Sequence, residues 1–274
     1  MPNKHGLDWF EQPETANDPE TGVDKADELD LIPDFAASEI DLADAYDLDS
    51  LEGFSGIIQE EVPARYLNPR LLEPQTVAFQ NARDLCNRIK FKPGENVFAL
   101  ISGKFIFGDI IEGLCCRRNV HMEECYIASL SANQENVDSL RNCTLVGGID
   151  KLYIVLSYYF YSHERQNLVP YIYQELDNDD VQDFQLAFCN IHSKLILFKT
   201  PDGLHYTIHG SANLRSCNSI EQIQIIESKQ LYDFNRKFIT KLNELFATID
   251  RKIGKRMRPQ DVYDQAVKPL DKED

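Results

Sequence analysis

Between Lys151 and Ser157 the chain reads Leu-Tyr-Ile-Val-Leu without a polar interruption. A half-exposed strand alternates apolar and polar residues, because successive side chains point to opposite faces. A strand that is apolar on both faces must be covered on both, which is the situation of a sheet lying between layers of helix. The flanking sequence supplies such helices. Helical spacing is read over 75–89, with Val77, Ala78, Ala82, Leu85 and Ile89 on one face, and over 105–118, 133–142, about 163–176 and 231–249. Further strands are read at 96–102, 124–129, 184–190, 193–199, 206–209 and 222–227, with a Pro201-Asp202-Gly203 turn between the fourth and fifth of these. Strands alternating with helices predict an α/β fold with a mixed central sheet flanked by helices.

Charge divides the chain. Residues 1–61 hold 18 Asp and Glu against Lys4 and Lys25, whereas the whole chain has 45 acidic and 28 basic residues and a net charge of −17. The remainder is therefore close to neutral, and the acidity belongs to a tail. Isolated apolar residues in that tail, such as Leu29, Phe35, Ile40 and Phe54, bury too little surface to fold it alone. Residues 1–61 are predicted to be a disordered acidic segment, available to dock a protein partner or to repel a polyanion. A catalytic domain is predicted over 62–250 and a charged C-terminal tail over 251–274, the latter opening on the basic run Arg251, Lys252, Lys255, Arg256 and Arg258. Seven cysteines, no C-x-x-C pair, no apolar leader and no run of membrane-spanning length predict a soluble protein of a reducing, cytoplasmic compartment. Cys115, Cys116, His121 and Cys125 invite a zinc reading. Their spacing fits no common zinc pattern, and Cys115-Cys116 lies in a helical apolar stretch, so they are read as small buried hydrophobes. Neither metal nor cofactor is expected.

The chemistry concentrates in two short segments, His192-Ser193-Lys194 and Gly210-Ser211-Ala212-Asn213, followed by Glu221. An imidazole titrates near neutrality and can attack phosphorus or protonate a leaving oxygen. An ammonium two residues along an extended chain falls on the same face and can neutralise phosphate oxygens. The second segment adds a hydroxyl and an amide that can bond the same oxygens, and Glu221 can orient a histidine. H-x-K, then G-S-x-N and a downstream Glu, resembles the signature of the phospholipase D-like superfamily. The family's Asp, five residues after the Lys, is replaced here by Lys199, and Asp202 is not promoted to its role. The order of strands and helices from about 93 to about 246 is also similar to that fold.

That resemblance implies a metal-independent phosphodiesterase whose catalytic residues are His192, Lys194, Ser211, Asn213 and Glu221. Its double-displacement chemistry needs two imidazoles, and this chain carries one H-x-K. Ser131-Ala132-Asn133 echoes Ser211-Ala212-Asn213 without an H-x-K before it, and is read as a strand end leading into a helix. A homodimer sharing one site across its two-fold axis is therefore expected. Single-motif members without membrane signals are commonly nucleases, so nucleic acid is the expected substrate. Tyr158 and Tyr161, ending the apolar strand, are candidates to stack bases, with Arg165 and Arg215 near the backbone. The alternatives are a phospholipase or other phosphodiesterase, and a non-catalytic phosphate- or nucleic-acid-binding protein.

Overall fold

The computed structural model describes residues 75–79, 82–101, 107–214, 220–252 and 254–267, all of them within one compact unit of the chain. The acidic segment 1–61, and every expectation about it, lies outside the described residues. Eight strands form one sheet: β1 (Gln75–Phe79), β2 (Asn96–Ile101), β3 (Glu124–Ser129), β4 (Lys151–Ser157), β5 (Asp183–Cys189), β6 (Leu195–Lys199), β7 (His205–Gly210) and β8 (Glu221–Glu227). Their spatial order is β1-β2-β8-β7-β6-β3-β4-β5. β1 and β2 pair parallel, as do β3, β4 and β5, whereas β6 and β8 run antiparallel to both of their neighbours. One edge of the sheet thus collects the C-terminal ends of β1 to β5 and β7 and the N-terminal ends of β6 and β8.

Helices cover both faces, as the apolar run of β4 requires. On one side lie α1 (Ala82–Arg88), α2 (Phe107–Glu112) with its π-helical continuation Gly113–Arg117, α3 (Gln134–Leu145), α4 (Tyr158–Glu164) and α5 (Leu168–Leu176). On the other lie α6 (Lys229–Phe246) and α7 (Pro259–Val267). Leu152, Ile154 and Leu156 of β4 join the first core, while Val155 joins the second and Tyr153 packs against it. A small ribbon of β9 (Ile249–Asp250) and β10 (Lys255–Arg256) links α6 to α7.

The mixed α/β architecture is as predicted, with local differences. Residues 75–79 form an edge strand and not the first turns of a helix. Their spacing also suits a helix, but parallel pairing of Gln75–Phe79 with Val97–Ile101 supplies hydrogen bonds that no local pattern reveals. The helix expected from about 163 starts at Tyr158. Ser157 caps it, its Oγ accepting from the Phe160 N–H at 2.9 Å and donating to the Leu130 carbonyl at 2.6 Å. Of the region read as a charged tail, residues 259–267 form α7, whose Tyr263, Ala266 and Val267 pack on the second core. Cys115 and Cys125 are buried in the first core, and the ring of His121 bonds to Asp150 Oδ2 and the Gly147 carbonyl, both at 3.0 Å. Among the described residues no group of three or more His, Cys, Asp or Glu is arranged to hold a metal, and no helix is long and apolar enough to cross a membrane.

Candidate functional site

After β5, at the outer side of the sheet, the chain must return to β6, which lies beyond β4 and β3. Residues 190–194 make this crossing along the edge where the parallel strands end. Strand order reverses here, the position at which open α/β sheets receive ligands. His192 and Lys194 sit in the crossing, just ahead of β6 and not within it, with His192 exposed and Lys194 half-buried. Lys194 Nζ donates to the His192 carbonyl at 3.0 Å. It also lies 3.1 Å from Nδ1 and 3.2 Å from Nε2 of the same imidazole. An atom nearly equidistant from both ring nitrogens addresses the ring as a whole, so neither lone pair is consumed along its own axis. Burial, and then the Lys194 charge, hold the His192 pKa below its ordinary value of 6.5. This favours the uncharged imidazole, the form that can act as a nucleophile. Burial also lowers the Lys194 pKa, and Glu221 pulls it back up. The two motif segments therefore share one electrostatic environment.

Register brings the second segment to the same place, since Leu195 of β6 pairs with His209 of β7. Gly210, the last residue of β7, is required by the close approach of β8. A Cβ at Gly210 would meet the Gln222 carbonyl oxygen at 2.0 Å and Ile223 Cα at 2.8 Å. This contact lets the Ser211 N–H donate to the Gln222 carbonyl and the Gln222 N–H donate to Ser211 Oγ, both at 3.0 Å. Ser211 Oγ in turn donates to the Glu221 carboxylate at the start of β8. Ser211 and Glu221 are therefore one hydrogen-bonded pair, with the hydroxyl as donor.

Asn213 follows, half-buried, with its Oδ1 enclosed and, among the described residues, without a partner. What holds Asn213 in place is a residue that sequence reading passed over. Ser129, fully buried at the end of β3, accepts from the Leu214 N–H at 3.0 Å and donates to the Ser131 carbonyl at 2.8 Å. Ala132 and Leu214 form a parallel bridge, and the Asn133 N–H donates to the Leu214 carbonyl at 2.9 Å. The segment 131–133 does end a strand and open a helix, with Asn133 capping α3. It also buttresses the segment whose sequence it echoes. That echo was the available signal.

Other predicted residues lie further off or are otherwise engaged. Tyr158 opens α4 at the same edge, but its ring stacks on Tyr263 of α7 at 4.1 Å and its hydroxyl bonds to Gln260. Tyr161 packs on the first core, 5.2 Å from the Phe188 ring. Arg165 is exposed at the C-terminal end of α4, and Arg215 lies outside the described residues. Lys199, at the place of the family's Asp, ends β6 and pairs with Glu123 at 2.5 Å. It is five residues from Lys194, about 17 Å along a strand, so a carboxylate there would not reach this edge. Asp202 accepts from Thr200 in the turn at that far end. In the basic run, Arg251 and Arg256 pair with Asp177, and Arg258 pairs with Asp261.

No protein-family model matches the chain, and no curated protein matches it in sequence. Solved structures do match. NucT from Helicobacter pylori shares 15% identity at a TM-score of 0.39, over 56% of this chain and 99% of its own. TrmBL2, an archaeal chromatin protein described with a novel mode of DNA binding, shares 7% identity at 0.34, over 72% of this chain and 62% of its own. Yeast tyrosyl-DNA phosphodiesterase shares 13% identity at 0.31, over 47% of this chain and 31% of its own.

Proposed function

We propose that this chain is a phosphodiester hydrolase, and specifically a metal-independent nuclease of the cytoplasm that works through a phosphohistidine in a homodimeric site. The observation that carries this reading is the contact of Lys194 Nζ with the His192 ring, beside the Ser211–Glu221 pair on the same sheet edge. A neutral imidazole next to a cation suits attack on a phosphodiester. In the first step a nitrogen of His192 bonds to phosphorus and the bond to the leaving oxygen breaks. That oxygen takes a proton from the partner's His192, which enters this step as imidazolium. The partner's His192, now neutral, then removes a proton from water. The water oxygen attacks phosphorus, the N–P bond breaks, and a phosphate monoester is released. Lys194 and Asn213 bond the non-bridging oxygens as charge grows on them, a contribution on the order of 3 kcal/mol to the barrier. Ser211 holds Glu221 in position beside Lys194.

The test is cleavage of labelled DNA, RNA and phospholipid in EDTA by the whole chain and by His192→Ala, with light scattering at the assay concentration. DNA or RNA cleavage by a dimer, lost in a folded His192→Ala with an acid-labile phosphoryl adduct absent, is expected. Cleavage of phospholipid alone would give the site another substrate class. An active monomer would remove the shared site. Substantial activity in folded His192→Ala would remove the nucleophile.

A further inference from the structure

Residues 190–194 carry the chain from the end of β5 to the start of β6, and His192 stands in the middle of them. β4 and β3 lie between those two strands, so the crossing spans about 14–15 Å of sheet edge. From Asn190 to Leu195 a fully extended chain reaches about 17 Å. The crossing is nearly taut, and a shift at its start is carried to His192. Beyond the strand ladders at its two ends, no backbone hydrogen bond among the described residues holds 190–194. Its ties are side chains. Ile191 is buried in the second core, and Lys194 bonds back to the His192 carbonyl. Asn190 supplies another, its Nδ2 donating to the Tyr263 hydroxyl of α7 at 2.7 Å.

Tyr263 is itself held in place. Its ring stacks on Tyr158 at 4.1 Å and lies 6.0 Å from the Phe246 ring of α6. Its neighbour Val262 is buried, and Gln260 bonds to the Tyr158 hydroxyl. One side chain of α7 thus joins the ends of two paired strands, β4 through Tyr158 and β5 through Asn190. The two ties at the start of the crossing do different things. Apolar burial of Ile191 is non-directional and sets only its depth. The bond from Asn190 is directional and sets how the chain is turned about its own axis. Side chains of an extended chain repeat every second residue, so turning Asn190 turns His192 with it. We infer that Tyr263, acting through Asn190, is a positioning residue that aims His192 at the phosphodiester. This rests on the reading of His192 as the nucleophile and extends that site to α7. A nucleophile aimed away from phosphorus loses rate without losing the substrate.

Cleavage kinetics and NMR of the whole chain test this with Tyr263→Phe, Asn190→Ala and the double variant. Phenylalanine keeps the ring against Tyr158 and Phe246 and removes the hydroxyl alone. In each single variant kcat on DNA or RNA falls about three- to tenfold while KM stays. The double variant is no slower than the slower single one, because both changes remove the same bond. In folded Tyr263→Phe the His192 ring resonances shift and broaden as the crossing samples other orientations, and cross-peaks between that ring and Lys194 weaken. Asp261→Ala, which breaks the Arg258–Asp261 pair of the same helix, leaves kcat and those resonances as they are. Unchanged His192 resonances in Tyr263→Phe overturn the inference. Additive losses in the double variant do so as well, since they would mean two separate effects. Equal losses of kcat in Asp261→Ala and Tyr263→Phe would reduce α7 to packing and also overturn it. If wild type cuts neither DNA nor RNA, the nuclease reading itself has failed, whereas the ring resonances, read without substrate, still decide whether Tyr263 holds His192.

Discussion

Gly210→Ala separates the proposed catalytic edge from the rest of the fold by a single carbon. Gly210 is not among the glycines with positive φ, so alanine can adopt its backbone without strain. On entropy alone the change would stabilise the chain by about 0.5–1 kcal/mol. The sign is decided by the collision. The new Cβ would lie 2.0 Å from the Gln222 carbonyl oxygen, so β8 must retreat by about 1–1.4 Å to reach a tolerable contact. β8 is also paired to β2 on its other side, with Gln222 opposite Leu100, and cannot move freely. Overpacking of this kind costs about 1–3 kcal/mol. The two 3.0 Å bonds joining Ser211 to Gln222 add about 1 kcal/mol each. The net is a loss of about 2–4.5 kcal/mol, or roughly 4–18 °C in Tm for a body of this size. Retreat of β8 also parts Ser211 from Glu221, so phosphodiesterase activity should fall at least tenfold at temperatures where the variant is folded. Calorimetry with parallel cleavage assays reads both quantities. A Gly210→Ala chain with wild-type Tm and wild-type activity would falsify the claim that this glycine sets the spacing of the site.

Three further outcomes are expected. Ser129→Ala leaves the Leu214 N–H buried without its acceptor, at a cost of about 1–3 kcal/mol; activity should fall with the displaced Asn213 while Ser129→Thr restores part of it, and a fully active Ser129→Ala would show that the buttress is dispensable. NMR titration should place the His192 pKa below 6.5, so that activity lost on acidification persists to a lower pH than an unperturbed histidine allows. In Lys194→Gln that pKa should rise without reaching 6.5, because burial is the larger cause; no movement would mean that the ammonium does not act on the ring. Deleting residues 1–61, with their 18 acidic side chains against two lysines, should raise nucleic-acid affinity at low salt and lose this effect as screening shortens below about 10 Å; equal affinity at every salt would reject electrostatic self-inhibition.

Much of this protein was legible along the chain, because the informative patterns are local. The unbroken apolar run 152–156 demanded cover on both faces, and the structure supplies α1–α5 on one side and α6–α7 on the other. Strands β3 and β4 fall at the predicted residues, since alternation and apolar runs report burial directly. The residue types of the site were likewise readable, imidazole, ammonium, hydroxyl, amide and carboxylate each having one chemistry to offer phosphate. Tertiary structure decided the rest, because pairing between distant segments leaves no local periodicity. It made 75–79 a strand through its register with β2. It covered Tyr158 with Tyr263, 105 positions later in the chain. It turned Ser129, an unremarked strand end, into the acceptor that holds Leu214 beside Asn213. It brought Lys194 and Glu221 to one sheet edge, where the carboxylate charge acts on the ammonium and strand order reverses. Side-chain identity states what a residue can do; the order of strands in the sheet decides what it does it to.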